Sequence, residues 1–357
     1  MSVHASLKGA VPASAGSRRD PETIRLGAGK GPSDAVASRR MKCPDGVRRR
    51  GMRTRRTDRV RGKVVVVTGA SSGIGRAVGL AFARRGARVV LAARSADVLG
   101  AAARRCAAAH PAADALAVPT DVTDERAVEA LAAAALARHG RIDVWVNVAG
   151  VGVLGAADRA PSEDVRRLFD VNVMGVVHGA RAALPVMRRQ GGGVLVDVSS
   201  VLGGVVRAPY LSAYAMSKAA LVTFDDVLRQ ELALAGARGI HVCSVLPGGV
   251  DTPFFLHAAN HTGRRVRALP PLVPPERVAR AVVRAARTHP RRVVVGVSSQ
   301  LLVRAYRLAP GLVRTLIARA TEHRYLSPPD GTPVTSGILR APSGAADAAR
   351  AADRGGG

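Results

Sequence analysis

The chain has 357 residues, 47% of them hydrophobic but only 3% aromatic, enough for one large α/β domain or two small ones. Cys43, Cys106 and Cys243 are too widely spaced for a metal-ligand pattern or a disulfide framework and fit a reduced, cytoplasmic setting, while the lack of an 18-residue apolar run or an early apolar core predicts neither a transmembrane span nor a secretory leader. The net charge of +28 invites a nucleic-acid reading, but residues 1–62 concentrate 16 Lys/Arg against 5 Asp/Glu with no interleaved aromatics and no recognised binding module, so no specific nucleic-acid partner is expected.

Residues 1–60 read as a disordered basic tail, rich in Gly, Ser, Pro and Arg and lacking apolar periodicity. A β-branched run at 63–67 predicts a buried strand. It empties into Thr68-Gly69-Ala70-Ser71-Ser72-Gly73-Ile74-Gly75, and a helical pattern follows to residue 85. Strand, glycine turn and helix together present backbone N–H groups and a helix N-terminus to a diphosphate. A second strand, 88–93, closes on Arg94 with no carboxylate at its end. An acidic residue there usually meets a free ribose 2′-hydroxyl, whereas a guanidinium suits a phosphate, so NADP(H) is preferred, with NAD(H) as the alternative.

Strand and helix then alternate: helix 96–109, strand 115–119 followed by Asp121 and Val122, and helix 124–139 with Thr123 or Asp124 as N-cap. Strand 142–146 ends in Asn147-Val148-Ala149-Gly150. One long helix, 162–190, contains Asn172, and strand 194–198 ends in Ser199-Ser200. Helix 212–235 carries Tyr214 and Lys218, strand 240–246 ends in Pro247-Gly248, and helix 275–288 precedes a last strand, 292–297. The alternation predicts a single doubly wound parallel sheet of about seven strands with helices on both faces. Ligands of such sheets bind beyond the carboxyl ends of the strands, where Gly69, Asp121, Asn147, Ser200 and Pro247 converge. Residues 61–298 form this domain; 299–326 read as a helical extension divided at Pro310-Gly311, and 327–357 as a disordered tail.

Tyr214 and Lys218 share one helix face at a spacing of four. An ammonium beside a phenol favours the phenolate and moves the tyrosine toward the range of an acid–base catalyst. Only five lysines accompany 49 arginines, so a lysine here is a chosen point charge. Asparagine is scarcer still, with three in the chain, at 147, 172 and 260. Val151, Val153, Leu202, Tyr210, Phe254 and Phe255 are the expected walls of an apolar substrate pocket. The loop 257–271, with Arg264, Arg265 and Arg267, reads as a lid.

These motifs, in this order over roughly residues 63–297, resemble the short-chain dehydrogenase/reductase family, an NAD(P)-binding Rossmann fold. The resemblance rests on Thr68–Gly75, Asn147–Gly150, Asn172, Ser200, Tyr214-x-x-x-Lys218 and Pro247-Gly248. It implies Tyr214 as acid/base, Lys218 as its modulator and ribose ligand, Ser200 on the substrate oxygen, and Asn172 holding a water linking Lys218 to solvent. It likewise implies cofactor contacts from Gly69, Ser71, Ser72, Gly73, Ile74, Gly75, Asp121, Val122, Asn147, Ala149, Gly150, Pro247, Gly248, Val250 and Thr252. The expected activity is hydride transfer between nicotinamide and a carbonyl or secondary alcohol carbon of a small hydrophobic substrate. The alternative is a catalytically silent NADP(H)-binding regulator. Relatives imply a homo-oligomer, dimer or tetramer. Leucines and valines at helical spacing over 299–321 read as a cap over the pocket or a dimer contact, with peripheral contact at a membrane surface as the alternative. Two departures stand out: the Ser200–Tyr214 spacing is one residue longer than usual, which leaves Ser199 as a rival, and Val148 replaces a more common second asparagine.

Overall fold

A computed structural model of the chain describes residues 60–266, 270–328 and 331–340. Most of the predicted basic tail, Arg267 and residues 341–357 lie outside that range. The strands are β1 (Val64–Thr68), β2 (Arg88–Ala93), β3 (Asp114–Pro119), β4 (Val144–Asn147), β5 (Val153–Leu154), β6 (Gly193–Val198), β7 (Ile240–Pro247), β8 (Ala259–Asn260) and β9 (Arg292–Val295). Seven of them form one sheet in the order β3-β2-β1-β4-β6-β7-β9, every neighbouring pair parallel. The short pair β5–β8 lies apart.

The helices are α1 (Gly73–Ala83), α2 (Ala96–Ala107), α3 (Glu125–His139), α4 (Ser162–Phe169), α5 (Gly175–Arg189), α6 (Val201–Gly204), α7 (Ser212–Leu234), α8 (Phe254–His257), α9 (Pro275–Thr288), α10 (Val297–Leu308) and α11 (Pro310–Ala320). All five residues of β1 are buried, as a strand covered on both faces requires. One face packs Phe82 and Leu99 from α1 and α2 together with Val278 and Val282 of α9. The other packs Leu131 of α3, Met187 of α5 and Leu228 of α7 around Trp145, which is completely buried. At about 1.5–3 kcal/mol for each buried large aliphatic or aromatic side chain, these two layers dominate stabilisation.

Local chemistry sets the boundaries. Asp124 caps α3 by accepting from the N–H groups of Arg126 and Ala127, and Gly140 ends that helix in the left-handed region. The single helix expected over 162–190 is interrupted by a π turn, Asp170–Met174, which carries Asn172. Among the described residues, no helix is long and apolar enough to cross a membrane, and no group of three or more His, Cys, Asp or Glu could hold a metal ion.

The stretch from 327 was expected to be structureless, and residues 331–340 are not. Thr335 and Asn260 exchange backbone hydrogen bonds of 2.7 and 3.1 Å, and the N–H of Ile338 donates to the His257 carbonyl at 2.9 Å. Ser336 Oγ donates to the buried Asp164 at 2.9 Å, and Leu339 is fully buried. Too short and irregular to show periodicity in sequence, the segment is held by contacts with residues 70 or more positions earlier.

Candidate active site

The turn after β1 must be glycine where the sequence has it. Gly69 has φ +67°, and a Cβ there would lie 2.7 Å from Ala149 Cα; one at Gly75 would lie 2.1 Å from the Gly69 carbonyl oxygen. Thr68 Oγ1 ties the turn to the end of β4 by accepting from the N–H groups of Val148 at 3.1 Å and Ala149 at 3.3 Å. Ser72, the N-cap of α1, makes no side-chain cap hydrogen bond, so the helix's first N–H groups face the cleft in front of it. That cleft, a cavity of about 180 Å³, is lined by residues 69 and 71–75, by Arg94, Asp121 and Val122, and by Ala149, Gly150 and Thr252. A close-packed glycine turn under a helix N-terminus fits a dinucleotide's diphosphate.

The adenine end has more structure than expected. Asp121 accepts from the Thr123 N–H and hydroxyl and forms a 3.0 Å ion pair with Arg167; despite burial, these partners hold its carboxyl below the usual range. The Arg94 guanidinium donates to the Ile338 carbonyl at 2.9 Å and more weakly to that of Leu339, and Ile338 lines the cleft. The C-terminal segment thus forms part of the cofactor wall, which its distance in sequence concealed. Asn147, expected at the cofactor, faces inward instead. Its amide donates to Asp197 at 2.7 Å and accepts from the Trp145 indole at 2.8 Å, and it lines neither cavity.

Beyond the cleft, Gly150, Thr252, Phe254, Ile74 and Val148 border a second cavity of about 400 Å³. Ser200, Tyr214, Lys218, Pro247, Gly248 and Val250 line that cavity. Ser200 Oγ faces the Tyr214 hydroxyl and accepts from the Leu202 N–H at 3.1 Å, whereas Ser199 Oγ donates to the Lys218 carbonyl at 2.8 Å and faces α7. Between Ser200 and Tyr214 the chain kinks within α6. Leu202 and Gly203 leave helical geometry there, and Gly203 (φ +87°) lies against α7, where a Cβ would come within 2.3 Å of the Ala215 oxygen. Asn172 Oδ1 accepts from the Val151 N–H at 2.8 Å, while its amide donates to the Val151 carbonyl and the Ser217 hydroxyl, both at 3.0 Å. Asn172 Oδ1 and Lys218 Nζ both approach Gly150, lying 3.3 and 3.5 Å from where a Cβ would stand.

Electrostatics differ from the sequence expectation. Burial pushes the Tyr214 phenol up to about 12, with the Ser200 hydrogen bond opposing. Lys218 Nζ donates to the Val198 carbonyl at 3.0 Å and lies 5.8 Å from the Tyr214 ring centroid. Burial lowers that ammonium to about 8, with Asp197 opposing. Here desolvation outweighs the mutual effect of the pair. Beneath them Asp197 and Asp225 are both fully buried, and burial raises both carboxyls; the Asn147 amide donates to the first and the Ser244 hydroxyl to the second.

The pocket walls were only partly anticipated. Leu202, Phe254 and Phe255 line the large cavity. Val153 belongs to β5 and is buried in the core, Val151 borders the cofactor cleft instead, and Tyr210 turns its hydroxyl to Glu322 at 3.0 Å. Part of the remaining wall comes from the segments 206–211 and 270–272, and part from the extension: Leu302 of α10, Ile317 and Ala320 of α11, and Tyr325 in the π turn Thr321–Tyr325 that follows. The loop read as a lid is pinned to that extension. Arg264 pairs with Glu322 at 2.6 Å and also donates to the Ser327 carbonyl, and Val266 bridges Leu326.

Comparison with known proteins agrees with this geometry. The family model described as short chain dehydrogenase matches residues 63–262. The chain is 34% identical over 270 residues to an uncharacterized oxidoreductase, YxnA, of Bacillus subtilis, covering 74% of each. A Thermococcus sibiricus alcohol dehydrogenase solved with 5-hydroxy-NADP is 26% identical, with a TM-score of 0.57 over 66% of this chain and 97% of that one. A short-chain dehydrogenase/reductase from Burkholderia phymatum solved with NAD is 28% identical, with a TM-score of 0.62 over 71% of this chain and 96% of that one. With the glycine cradle, the parallel sheet and the Ser–Tyr–Lys grouping in place, the chain belongs to the short-chain dehydrogenase/reductase family, as an NAD(P)-dependent oxidoreductase acting on CH–OH/C=O groups.

Proposed function

We propose that the chain is an NADP(H)-preferring enzyme that interconverts a carbonyl and a secondary alcohol on a small hydrophobic substrate, with Tyr214 as acid/base. The observation that carries this reading is the meeting of the two cavities: a glycine-walled cleft opens onto an apolar one at Gly150 and Thr252, and Ser200, Tyr214 and Lys218 line the apolar side of that junction. When bound, the cofactor supplies the hydride. In reduction the Tyr214 hydroxyl, a phenol at neutral pH, donates its proton to the substrate oxygen while Ser200 Oγ holds that oxygen in place. The Lys218 ammonium stabilises the resulting phenolate, and Asn172 fixes the backbone at Val151 and the Ser217 hydroxyl beside it. NADP(H) preference is supported by the missing carboxylate at the end of β2, by Arg94 at the cleft, and by Asp121 being engaged with Arg167. A homo-oligomer is supported by the exposed apolar side chains of Leu301, Leu308, Leu312 and Leu316 on α10 and α11.

The test compares NADPH and NADH oxidation over hydrophobic ketones, aldehydes and quinones, in wild type and in Tyr214→Phe. The variant is expected to keep cofactor affinity and lose nearly all turnover. A variant that retains more than about a tenth of the wild-type rate, a barrier increase of under ~1.4 kcal/mol, refutes the role given to Tyr214. NADPH binding with no turnover on any carbonyl favours a silent regulator instead.

A further inference from the structure

Among the described polar side chains that the extension adds to the large cavity, Tyr325 is a buried one whose hydroxyl is unpaired. Tyr325 closes the π turn after α11, is 6% exposed, and its hydroxyl has no hydrogen-bond partner among the described residues. A buried tyrosine hydroxyl ordinarily finds a partner, because leaving it unpaired forfeits its hydration. Phenylalanine would pack equally well, since the ring already sits edge-on to Phe255 at 5.5 Å, Phe255 to Phe254 at 5.3 Å, and Phe254 to Tyr214 at 5.3 Å. The chain has only four tyrosines, and one of them stands here.

The position is built. Glu322, three residues earlier on the same turn, accepts from Tyr210 and from Arg264, so two other segments fix the turn that carries Tyr325. The Leu326 N–H closes the turn on the Thr321 carbonyl at 3.1 Å. The ring packs in an apolar cluster with Leu211, Ala258, Leu326 and Phe255.

From this juxtaposition we infer that Tyr325 is a specificity-determining residue whose hydroxyl donates a hydrogen bond to a second oxygen of the substrate, one separated from the reacting carbonyl by an apolar chain. The inference rests on the proposed carbonyl–alcohol reading and narrows its substrate class from a plain hydrophobic ketone to an elongated lipophilic one bearing an acceptor oxygen. Tyr325 is not a second acid/base. Burial, with Tyr214 adding to it, holds its phenol well above its ordinary range, so it acts only as a neutral donor. Selectivity follows physically. A ligand with an oxygen at the right place satisfies the hydroxyl, whereas an all-carbon chain leaves it unpaired in an apolar wall.

The experiment walks an ether oxygen along one chain. 2-Undecanone and its 6-oxa to 10-oxa analogues are titrated by calorimetry into wild type and Tyr325→Phe, each loaded with NADP⁺, so that ketone and oxidised cofactor bind without reacting. In wild type one ether position is expected to bind about 3- to 10-fold more tightly than its neighbours, and in Tyr325→Phe that peak disappears while 2-undecanone binds as well or better. Because the hydroxyl is unsatisfied in the free protein, Tyr325→Phe is also expected to raise the melting midpoint by about 2–4 °C. A flat ether profile in wild type, a peak that survives the substitution, or a lower melting midpoint overturns the assignment. Turnover of the same ketones with NADPH is read separately. Binding with a Tyr325-dependent peak but no turnover sinks the catalytic reading alone, and turnover without such a peak sinks the Tyr325 inference alone.

Discussion

Lys218 is predicted to be a stability liability that catalysis requires, and Lys218→Met separates the two. The side chain is 5% exposed, and its ammonium titrates at about 8 in the folded chain against 10.5 ordinarily. A difference of about 2.5 units at ~1.36 kcal/mol each makes the buried charge cost about 3 kcal/mol at pH 7. Methionine keeps the volume but loses the hydrogen bond to the Val198 carbonyl, which costs back about 1–2 kcal/mol. The variant is therefore expected to be about 1–2 kcal/mol more stable than wild type at pH 7 and inactive. Its pH dependence is the sharper readout. Between pH 8 and 10.5 the unfolded lysine carries a proton that the folded one has released, so wild-type stability gains from this residue as pH rises. The advantage of Lys218→Met should shrink steadily from pH 7 to pH 10 and change sign near the top of that range. Cys106 and Cys243, raised by burial to about 11 and about 12, titrate alike in both proteins and cancel in the difference. Urea unfolding followed by circular dichroism at half-unit pH steps measures this. A wild type that is more stable at pH 7, with a gap independent of pH, refutes the reasoning.

Three further outcomes test the cradle, the adenine end and the C-terminal segment. Gly75→Ala places a methyl 2.1 Å from the Gly69 carbonyl oxygen, so the turn must move; a loss of about 1–3 kcal/mol in stability and at least ~10-fold in NADPH affinity is expected, and unchanged fluorescence titrations would contradict it. Arg94→Ala should lower the NADPH-over-NADH ratio of kcat/KM by about 10-fold, about the energy of one charge-assisted hydrogen bond, and an unaltered ratio removes Arg94 from cofactor selection. Leu339→Ala empties a fully buried site in the layer that also holds Trp145 and should cost about 2–5 kcal/mol in urea unfolding; a cost below 1 kcal/mol would mean the segment is not part of the fold in solution.

Certain features were legible in the sequence because they are local. The β-branched run before Gly69 could only be a strand buried on both faces, and the glycines after it answer to a turn in which a Cβ meets backbone oxygen. The alternation of strand and helix fixed a parallel sheet, and with it the edge where Gly69, Ser200, Tyr214 and Pro247 gather. Asp124 and Gly140 mark the ends of α3 by chemistry that spans three or four residues. What the sequence could not reveal depends on groups distant along the chain. Asn147 and Val153 stand beside site motifs but face the interior, because side-chain direction at a strand end depends on which neighbour packs there. Tyr214 and Lys218 have the spacing of a coupled pair, yet their titration is governed by how much protein covers them, which no spacing encodes. Helical spacing over 299–321 allowed a cap over the pocket, but which of its side chains reach the cavity (Leu302, Ile317 and Ala320), and that Tyr325 and Ile338 join the walls, depends on long-range packing that leaves no trace in the local pattern.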